Sequence, residues 1–263
     1  MAGVPVLEGP RPFAIAHRGS RILWPENTME AFGGAVDLGY SWLETDVHTS
    51  SDGVVVCLHD DTLDRTTNGG GQANQFSYSE LSRFDAGYNH GPEAGFPFRG
   101  RGIAIPTLEE LVTSFPDVRV IVDLKQDGTE QPLADLVERL GLWDRLIVGS
   151  FSGARAALFR RLTGGRVTTS TAPMDTLRRW LAAGVGITPA PAHALQVPMR
   201  YGPLRLVSRR SLGKHQRAGS QVHVWTVNET DLMHQLIDWG IDGIITDRPD
   251  LLRGVLESRG LWA

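Results

Sequence analysis

Between Ile15 and Gly71 the sequence sets two histidines and several carboxylates among glycines and prolines, on segments whose other residues read as buried strands. His17 ends the apolar run Phe13 to Ala16, Glu44 and Asp46 interrupt a second run, and His59 ends a third, Val54 to Leu58. Alternate residues of a strand share a face, so Glu44, Asp46 and His48 point one way while Thr45 and Val47 point the other. Two carboxylates on one buried face repel unless a positive charge lies between them, and a hard divalent cation, Mg²⁺ or Ca²⁺, suits their oxygens. The run Val120 to Lys125 brings a third carboxylate, Asp123, to the same end, with Lys125 on its face. Such a site suits a phosphate ester: the metal, with Lys125 and Arg18, would neutralise charge developing on phosphorus. Proton transfer then falls to the histidines. Free imidazole titrates near about 6.5, so one of His17 and His59 can accept a proton while the other, held charged by carboxylates, donates one.

Those residues need elements that carry them to one place. Short β-branched runs alternate with helical patterns, which predicts strands near 13–17, 42–48, 118–124, 145–150, 165–169, 194–197, 222–227 and 242–246. Helical spacing of apolar residues predicts helices near 27–39, 107–115, 130–141, 152–162, 174–183, 209–219, 229–239 and 249–258. Asn27 or Thr28 would cap the first of these, Ser208 the sixth, and Asn228 with Glu229 the seventh. Eight alternating units point to an α/β fold, a TIM (β/α)8 barrel. The stretch from about 62 to 105 is rich in Gly, Asn, Asp and Pro and shows one short helical pattern, from Ser79 to Phe84. It reads as a small functional insertion after the second strand, over one end of the barrel.

Length and composition agree. Barrels of this kind commonly fill about 250 residues, so the 263 residues are expected to form one domain spanning 1–263. With 41% hydrophobic and 21% charged residues the chain can build a core and is not a disordered polyelectrolyte. A net charge of −4 argues against nucleic acid as a partner. Cys57, the single cysteine, excludes an internal disulfide and a cysteine-built metal site. The start MAGVPVLEGPRPF has neither a basic head nor a continuous apolar stretch, so no signal peptide is expected. Nothing approaches the roughly 20 apolar residues of a membrane span, so a soluble cytoplasmic protein is expected.

Several residues carry two readings. Asp60 and Asp61 either support His59 or the metal, or make an ordinary turn. His48 shares the carboxylate face but lies further along its strand. Asn27 is either a helix cap or a contact for the substrate phosphate, roles that are compatible at a helix N-terminus. Trp225 ends the seventh strand, where it would wall the substrate pocket or else fill core. Asp247 closes the last strand as a structural residue, Gly69 to Gly71 give the loop its turns, and His193, His215, His223 and His234 are surface or packing residues.

In order along the chain, HRG at 17–19, PENT at 25–28, LETDV at 43–47, DG at 52–53, HD at 59–60, LDRTTNGGG at 63–71, IPTLEE at 105–110, VWTVN at 224–228 and GIITDRP at 243–249 resemble the glycerophosphodiester phosphodiesterase family. The resemblance implies a TIM barrel that hydrolyses glycerophosphodiesters to an alcohol and glycerol 3-phosphate with a divalent metal. By that resemblance His17 and His59 are the catalytic pair, and Glu44, Asp46 and the third-strand carboxylate hold the metal, while Arg18 and Lys125 contact phosphate. The family often carries Glu where this chain has Asp123, one methylene shorter, so either the metal sits closer to that strand or a water bridges. The scheme it implies has two steps: the glycerol hydroxyl attacks phosphorus, and water then opens the cyclic phosphate. One rival is a lysophospholipase D, whose acyl channel Tyr88, Phe96 and Phe98 would line, although aromatics in a Gly- and Pro-rich loop more often pack the loop down. Another is a non-catalytic barrel that binds phosphodiesters.

Overall fold

The computed structural model describes residues 4–184 and 193–262. Its strands are β1 (Phe13–His17), β2 (Trp42–Thr49), β3 (Val55–Cys57), β4 (Arg119–Leu124), β5 (Leu146–Gly149), β6 (Thr168–Thr169), β7 (Ala194–Pro198), β8 (Arg200–Tyr201), β9 (Leu204–Arg205), β10 (Gln221–Trp225) and β11 (Gly243–Thr246). The helices are α1 (Met29–Asp37), α2 (Tyr78–Leu81), α3 (Leu108–Ser114), α4 (Glu130–Leu140), α5 (Gly153–Leu162), α6 (Pro173–Gly184), α7 (Arg209–Arg217), α8 (Thr230–Asp238) and α9 (Pro249–Ser258). The main sheet runs β6-β5-β4-β2-β1-β11-β10-β7 with parallel neighbours. A parallel bridge between Ser170 and Ala194 joins its two ends, so the eight strands close into the expected barrel. Each of the eight predicted strands is present, the fifth reduced to two residues.

Strand alternation explains the interior. Phe13, Ile15, Trp42, Ile121, Ile147, Ala194 and Ile245 form one buried cluster, floored by Val6 and Leu7. The residues two positions on, toward the strand ends, face the same way. They are His17, Glu44, Asp123, Gly149, Gln196 and Asp247, so the chemistry stands one layer above the apolar plug. The opposite strand faces, led by Leu43, Val47, Val120 and Val122 on one side and Val222, Val224 and Ile244 on the other, pack under the helices.

Helix starts follow side-chain chemistry. The Thr28 hydroxyl accepts from Ala31 N and caps α1. Thr107 and Glu110 form a reciprocal capping box at α3, as Ser208 and Ser211 do at α7. At α8 the cap position is Glu229 without a side-chain bond, because Asn228 is used elsewhere.

The excursion after the second barrel strand is wider than 62–105. It begins at Ser50, where the chain turns at Gly53 (φ 85°) and returns as β3, antiparallel to β2. His59 therefore does not end a barrel strand; it follows a hairpin arm laid along β2. The excursion has its own core of Val56, Leu58, Leu63, Leu81, Ile103 and Ile105. Doubling a loop's length adds only about 0.6 kcal/mol of closure cost. The fully buried Leu108 and Leu111 that anchor α3 each contribute about 2 kcal/mol, so the barrel tolerates the insertion. A second departure is the small β8–β9 hairpin between β7 and α7.

Candidate active site

β1 delivers His17 and Arg18. Arg18 takes a left-handed conformation (φ 54°), as does Asn27 (φ 56°), and the two are tied by a backbone bond from Asn27 N to Arg18 O of 3.0 Å. Residues other than glycine held in this region cost on the order of 1 kcal/mol and cluster at functional sites. Between them Gly19 lies so close to α1 that a Cβ there would stand 2.5 Å from the Ala31 backbone. That approach accounts for the glycine of HRG, and it brings the Arg18 guanidinium over the barrel mouth.

The carboxylates of β2 and β4 meet two cations. Asp46 and Asp123 are register partners on adjacent strands. Lys125 Nζ lies 2.9 Å from Asp46 Oδ1 and 2.6 Å from Asp123 Oδ2, so one ammonium bridges both. Arg18 Nε approaches Asp46 Oδ2 at 2.9 Å as an ion pair without hydrogen-bond alignment, and Arg18 Nη1 donates to Glu26 Oε1 at 2.8 Å. Glu44 Oε2 accepts from Arg18 N at 3.1 Å and stands 3.8 Å from His17 Nε2. Asn27 Nδ2 donates to Asp46 Oδ2 at 3.2 Å, and its Oδ1 accepts from Thr45. The Asn27 amide thus holds Asp46, while the helix cap falls to Thr28.

The electrostatics follow from burial and these neighbours. Burial, then Asp46, pushes the Glu44 carboxyl up to about 7, against the pull of His17, Arg18 and Lys125. Burial raises Asp123 as well, with Lys125 opposing. Burial would also raise Asp46, but Lys125 and Arg18 outweigh it and hold it below the usual range. Lys125 is itself held charged, because Asp46 and Asp123 overcome its desolvation. The site therefore carries more buried negative charge than its two cations quench, and its oxygen donors have the chemistry a hard divalent ion takes. Among the described residues no three acidic, histidine or cysteine side chains converge as a finished metal cage, since Lys125 stands between Asp46 and Asp123.

Each histidine has its own carboxylate on Nδ1. His17 Nδ1 and Asp247 Oδ1 are 2.7 Å apart, and His59 Nδ1 and Asp60 Oδ1 are 2.5 Å apart. A carboxylate there assigns the proton to Nδ1 in the neutral ring and leaves Nε2 as the atom that can take or give one. Burial lowers the His17 pKa, but Glu44 and Asp247 outweigh it, so the ring is raised above its ordinary value. His59 acts electrostatically on Asp46 and, against its net rise, on Asp123, which ties the ring to the same cluster.

Several residues that sequence reasoning left without a role, or between two, pack around these side chains. Asp247, read as merely closing the last strand, is the partner of His17. Its Oδ2 also accepts from Arg21 Nε and Asn228 Nδ2, and its carboxyl is held low despite burial, chiefly by His17. Asp60 is held in turn by Arg65 Nε at 2.5 Å, and Arg65 grips Glu26 with two bonds of 2.8 and 2.7 Å. Glu26 and Arg65 sat inside PENT and LDRTTNGGG, so the residues were visible while their pairing was not. At β5, a Cβ on Gly149 would meet Ser170 Oγ at 2.6 Å and Gln196 Oε1 at 3.4 Å. Gln196 Nε2 is buried without a hydrogen-bond partner. His48 is a support: its ring meets Gln126 Oε1 and the His59 carbonyl. Trp225 packs edge-on against Phe151, with centroids 5.9 Å apart, and the Phe151 ring lies 5.2 Å from Lys125 Nζ.

Beside the cluster a cleft of about 400 Å³ runs between the loop after β1 and the insertion. Arg21, Glu26, Arg65, Asn89, His90 and Glu93 are among its walls. Tyr88, Phe96 and Phe98 do not line it. The Arg99 guanidinium is sandwiched over the rings of Tyr88 and Phe96, and Phe98 packs on the insertion core, so these aromatics hold the loop together.

Comparison with known proteins agrees with this picture. The model of the glycerophosphoryl diester phosphodiesterase family matches residues 17–251. A Mycobacterium tuberculosis protein named probable glycerophosphodiester phosphodiesterase 2 is 37% identical over 257 residues, covering 95% of this chain and 92% of that one. The crystal structure of a glycerophosphoryl diester phosphodiesterase domain from the same organism superposes with a TM-score of 0.82 at 24% identity, covering 94% of this chain and 99% of that one. A phosphodiesterase of Oleispira antarctica, solved in complex with the product sn-glycerol-3-phosphate, superposes with a TM-score of 0.75 at 25% identity, covering 94% and 97%.

Proposed function

Because the chain belongs to the glycerophosphoryl diester phosphodiesterase family, we propose that it hydrolyses glycerophosphodiesters to an alcohol and glycerol 3-phosphate through His17 and His59, with a divalent metal. The observation that carries this reading is the buried cluster of carboxylates and cations flanked by two histidines, each with a carboxylate on Nδ1. Glu44, Asp46 and Asp123 would hold the ion, Mg²⁺ or Ca²⁺. When bound, it would supply Lewis-acid neutralisation of the phosphate oxygens.

The chain's own groups do the rest. Arg18, buried, and Lys125, partly exposed, are both held charged, face the phosphate and offset the charge that grows on its oxygens in the transition state. One histidine takes the proton of the glycerol hydroxyl as its oxygen bonds to phosphorus, and the other protonates the departing alkoxide. In the second step water replaces that alcohol, the roles exchange, and the cyclic phosphate opens to glycerol 3-phosphate. Asn27 reaches the phosphate only indirectly, by orienting Asp46, and Trp225 walls the glycerol side together with Phe151. The cleft beside Arg65 has the volume that a headgroup alcohol needs.

No helix among the described residues is long and apolar enough to cross a membrane, and a cytoplasmic, small-molecule enzyme is the proposed setting. The test is a panel of glycerophosphodiesters and lysophospholipids assayed with Mg²⁺, Ca²⁺ or a chelator. Glycerol 3-phosphate release that needs added metal is expected, and full activity after thorough chelation would remove the metal from the account.

A further inference from the structure

The net charge of −4 hides a regional imbalance. From Thr176 to Asn228 the sequence contains no Asp or Glu, although the whole chain carries 30, and it contains eight Lys or Arg. Arg178, Arg200, Arg205, Arg209, Arg210 and Arg217 are exposed. They lie on α6, on the β8–β9 hairpin and on α7, and α6 packs against α7. Arg209 and Arg210 occupy the first two positions of α7, where the positive end of the helix dipole disfavours cations. Neither forms an ion pair among the described residues, so the fold gains no partner from placing them there. Stability alone would favour acids at those positions.

The same sector exposes large apolar side chains on the loops that follow the barrel strands. Phe151 after β5 is 59% exposed, Met174 at the start of α6 is 60% exposed, and Tyr201 at the tip of the hairpin is 63% exposed. Phe151 reaches back to Trp225 and Lys125, so the apolar rim is continuous with the site. A predominantly basic surface, on which Asp175 pairs with Arg178 at 3.6 Å while Arg209 and Arg210 have no ion pair among the described residues, and which carries exposed aromatic and thioether groups at its edge, matches an anionic lipid interface. The cations meet headgroup phosphates and the apolar tips enter the acyl boundary.

We infer that this rim is a docking surface for an anionic phospholipid bilayer, which holds the barrel mouth against the lipid that supplies its substrate. The inference goes beyond the proposed reaction, and binding is read without turnover, so the two fail separately. The experiment is sedimentation of the full chain with vesicles of phosphatidylcholine alone or mixed with phosphatidylglycerol, at low and high salt. Binding is expected with phosphatidylglycerol only and is released as salt rises, because exposed charges are screened within about 10 Å at 0.1 M salt. Arg209→Glu with Arg210→Glu should weaken it at least about tenfold, and Tyr201→Ser should weaken it further at fixed charge. Turnover of soluble glycerophosphocholine should be unchanged in these variants, which also reports that they fold. Equal binding to both vesicle types, or none, would overturn the inference. So would retention on double-stranded DNA without vesicle binding, or a self-association of the free chain that the charge reversals abolish.

Discussion

His17 Nδ1 and Asp247 Oδ1 stand 2.7 Å apart, so a residue of the first barrel strand is oriented by one at the end of the last. Asp247 is fully buried, its second oxygen is held by Arg21 and Asn228, and it cannot turn away. Asp247→Asn keeps the size of the side chain but removes the charge that supports a protonated ring. Turnover should fall by about 100-fold with little change in KM, and the pH limb belonging to His17 should move to lower pH. A rate–pH profile checks this, and turnover close to the wild type would show that the ring needs no such support.

His59 depends on a longer chain of ion pairs, through Asp60 and Arg65 to Glu26. Arg65 binds two carboxylates at once with its planar fork, which lysine cannot reproduce. Arg65→Lys should therefore lower kcat by about tenfold, and Asp60→Asn by more, toward about 100-fold. Steady-state kinetics beside a melting curve separate this from general loosening of the insertion. A variant that loses stability but not kcat would make the network purely structural.

The insertion divides into a part that holds itself together and a part that faces the cleft. Phe98→Ala should destabilise the chain by about 2 kcal/mol, because a half-buried aromatic is lost from a small core. It should leave the ranking of alcohol leaving groups unchanged. His90→Ala and Glu93→Ala, on the cleft wall, should alter that ranking with little effect on melting. Melting curves run with a substrate panel test both, and a changed ranking in Phe98→Ala alone would reverse the assignment.

Acid should weaken the fold through His223. Its ring is buried against Phe13 and Gly243, Nδ1 has no hydrogen-bond partner, and burial lowers its pKa to about 4. A base whose folded pKa lies below its unfolded value of about 6.5 binds its proton first in the unfolded chain. Its penalty is absent above about 6.5 and grows as pH falls toward 4, reaching on the order of 3 kcal/mol. Glu44 acts in the opposite sense, since a carboxyl raised to about 7 takes up its proton first in the folded state. The contrast between wild type and His223→Leu isolates the histidine: urea midpoints should diverge between pH 7 and pH 4 by less acid sensitivity in the variant. Parallel curves would remove His223 as the cause.

The barrel was legible because its period is local. Runs such as Val120 to Val122 are apolar on both faces, as a strand covered by helices and filling a barrel requires, and Thr28 and Ser208 mark helix starts by their own chemistry. β6 and the β8–β9 hairpin are too short for a period to show. β3 read as one more apolar run because nothing in Val54 to Leu58 says that the chain has turned back on β2 at Gly53.

The candidate site divides in the same way. Glu44, Asp46 and Asp123 were visible as charges on strands that should be apolar. Asp247 and Glu26 were not assigned, and Asp60 was left between a support for His59 or the metal and an ordinary turn, because an acid at a strand end or in a turn is ordinary until its partner is known. Those partners lie 230 residues away for Asp247 and His17, and 39 residues away for Glu26 and Arg65. Phe96 and Phe98 stood between two roles for a related reason: an aromatic in a Gly- and Pro-rich loop can line a channel or pin the loop until the guanidinium and core it packs against are placed.

The central claim is that two histidines, each fixed by its own carboxylate, move the protons of phosphodiester hydrolysis. Its most direct test is the rate of glycerol 3-phosphate release from glycerophosphocholine by His17→Ala and by His59→Ala, each checked for an unchanged melting curve. Both variants should lose about 100-fold or more in kcat, and the bell-shaped pH profile of the wild type should lose one limb in each. Near-normal turnover in either variant, with the fold intact, would contradict the claim and remove that histidine from the reaction.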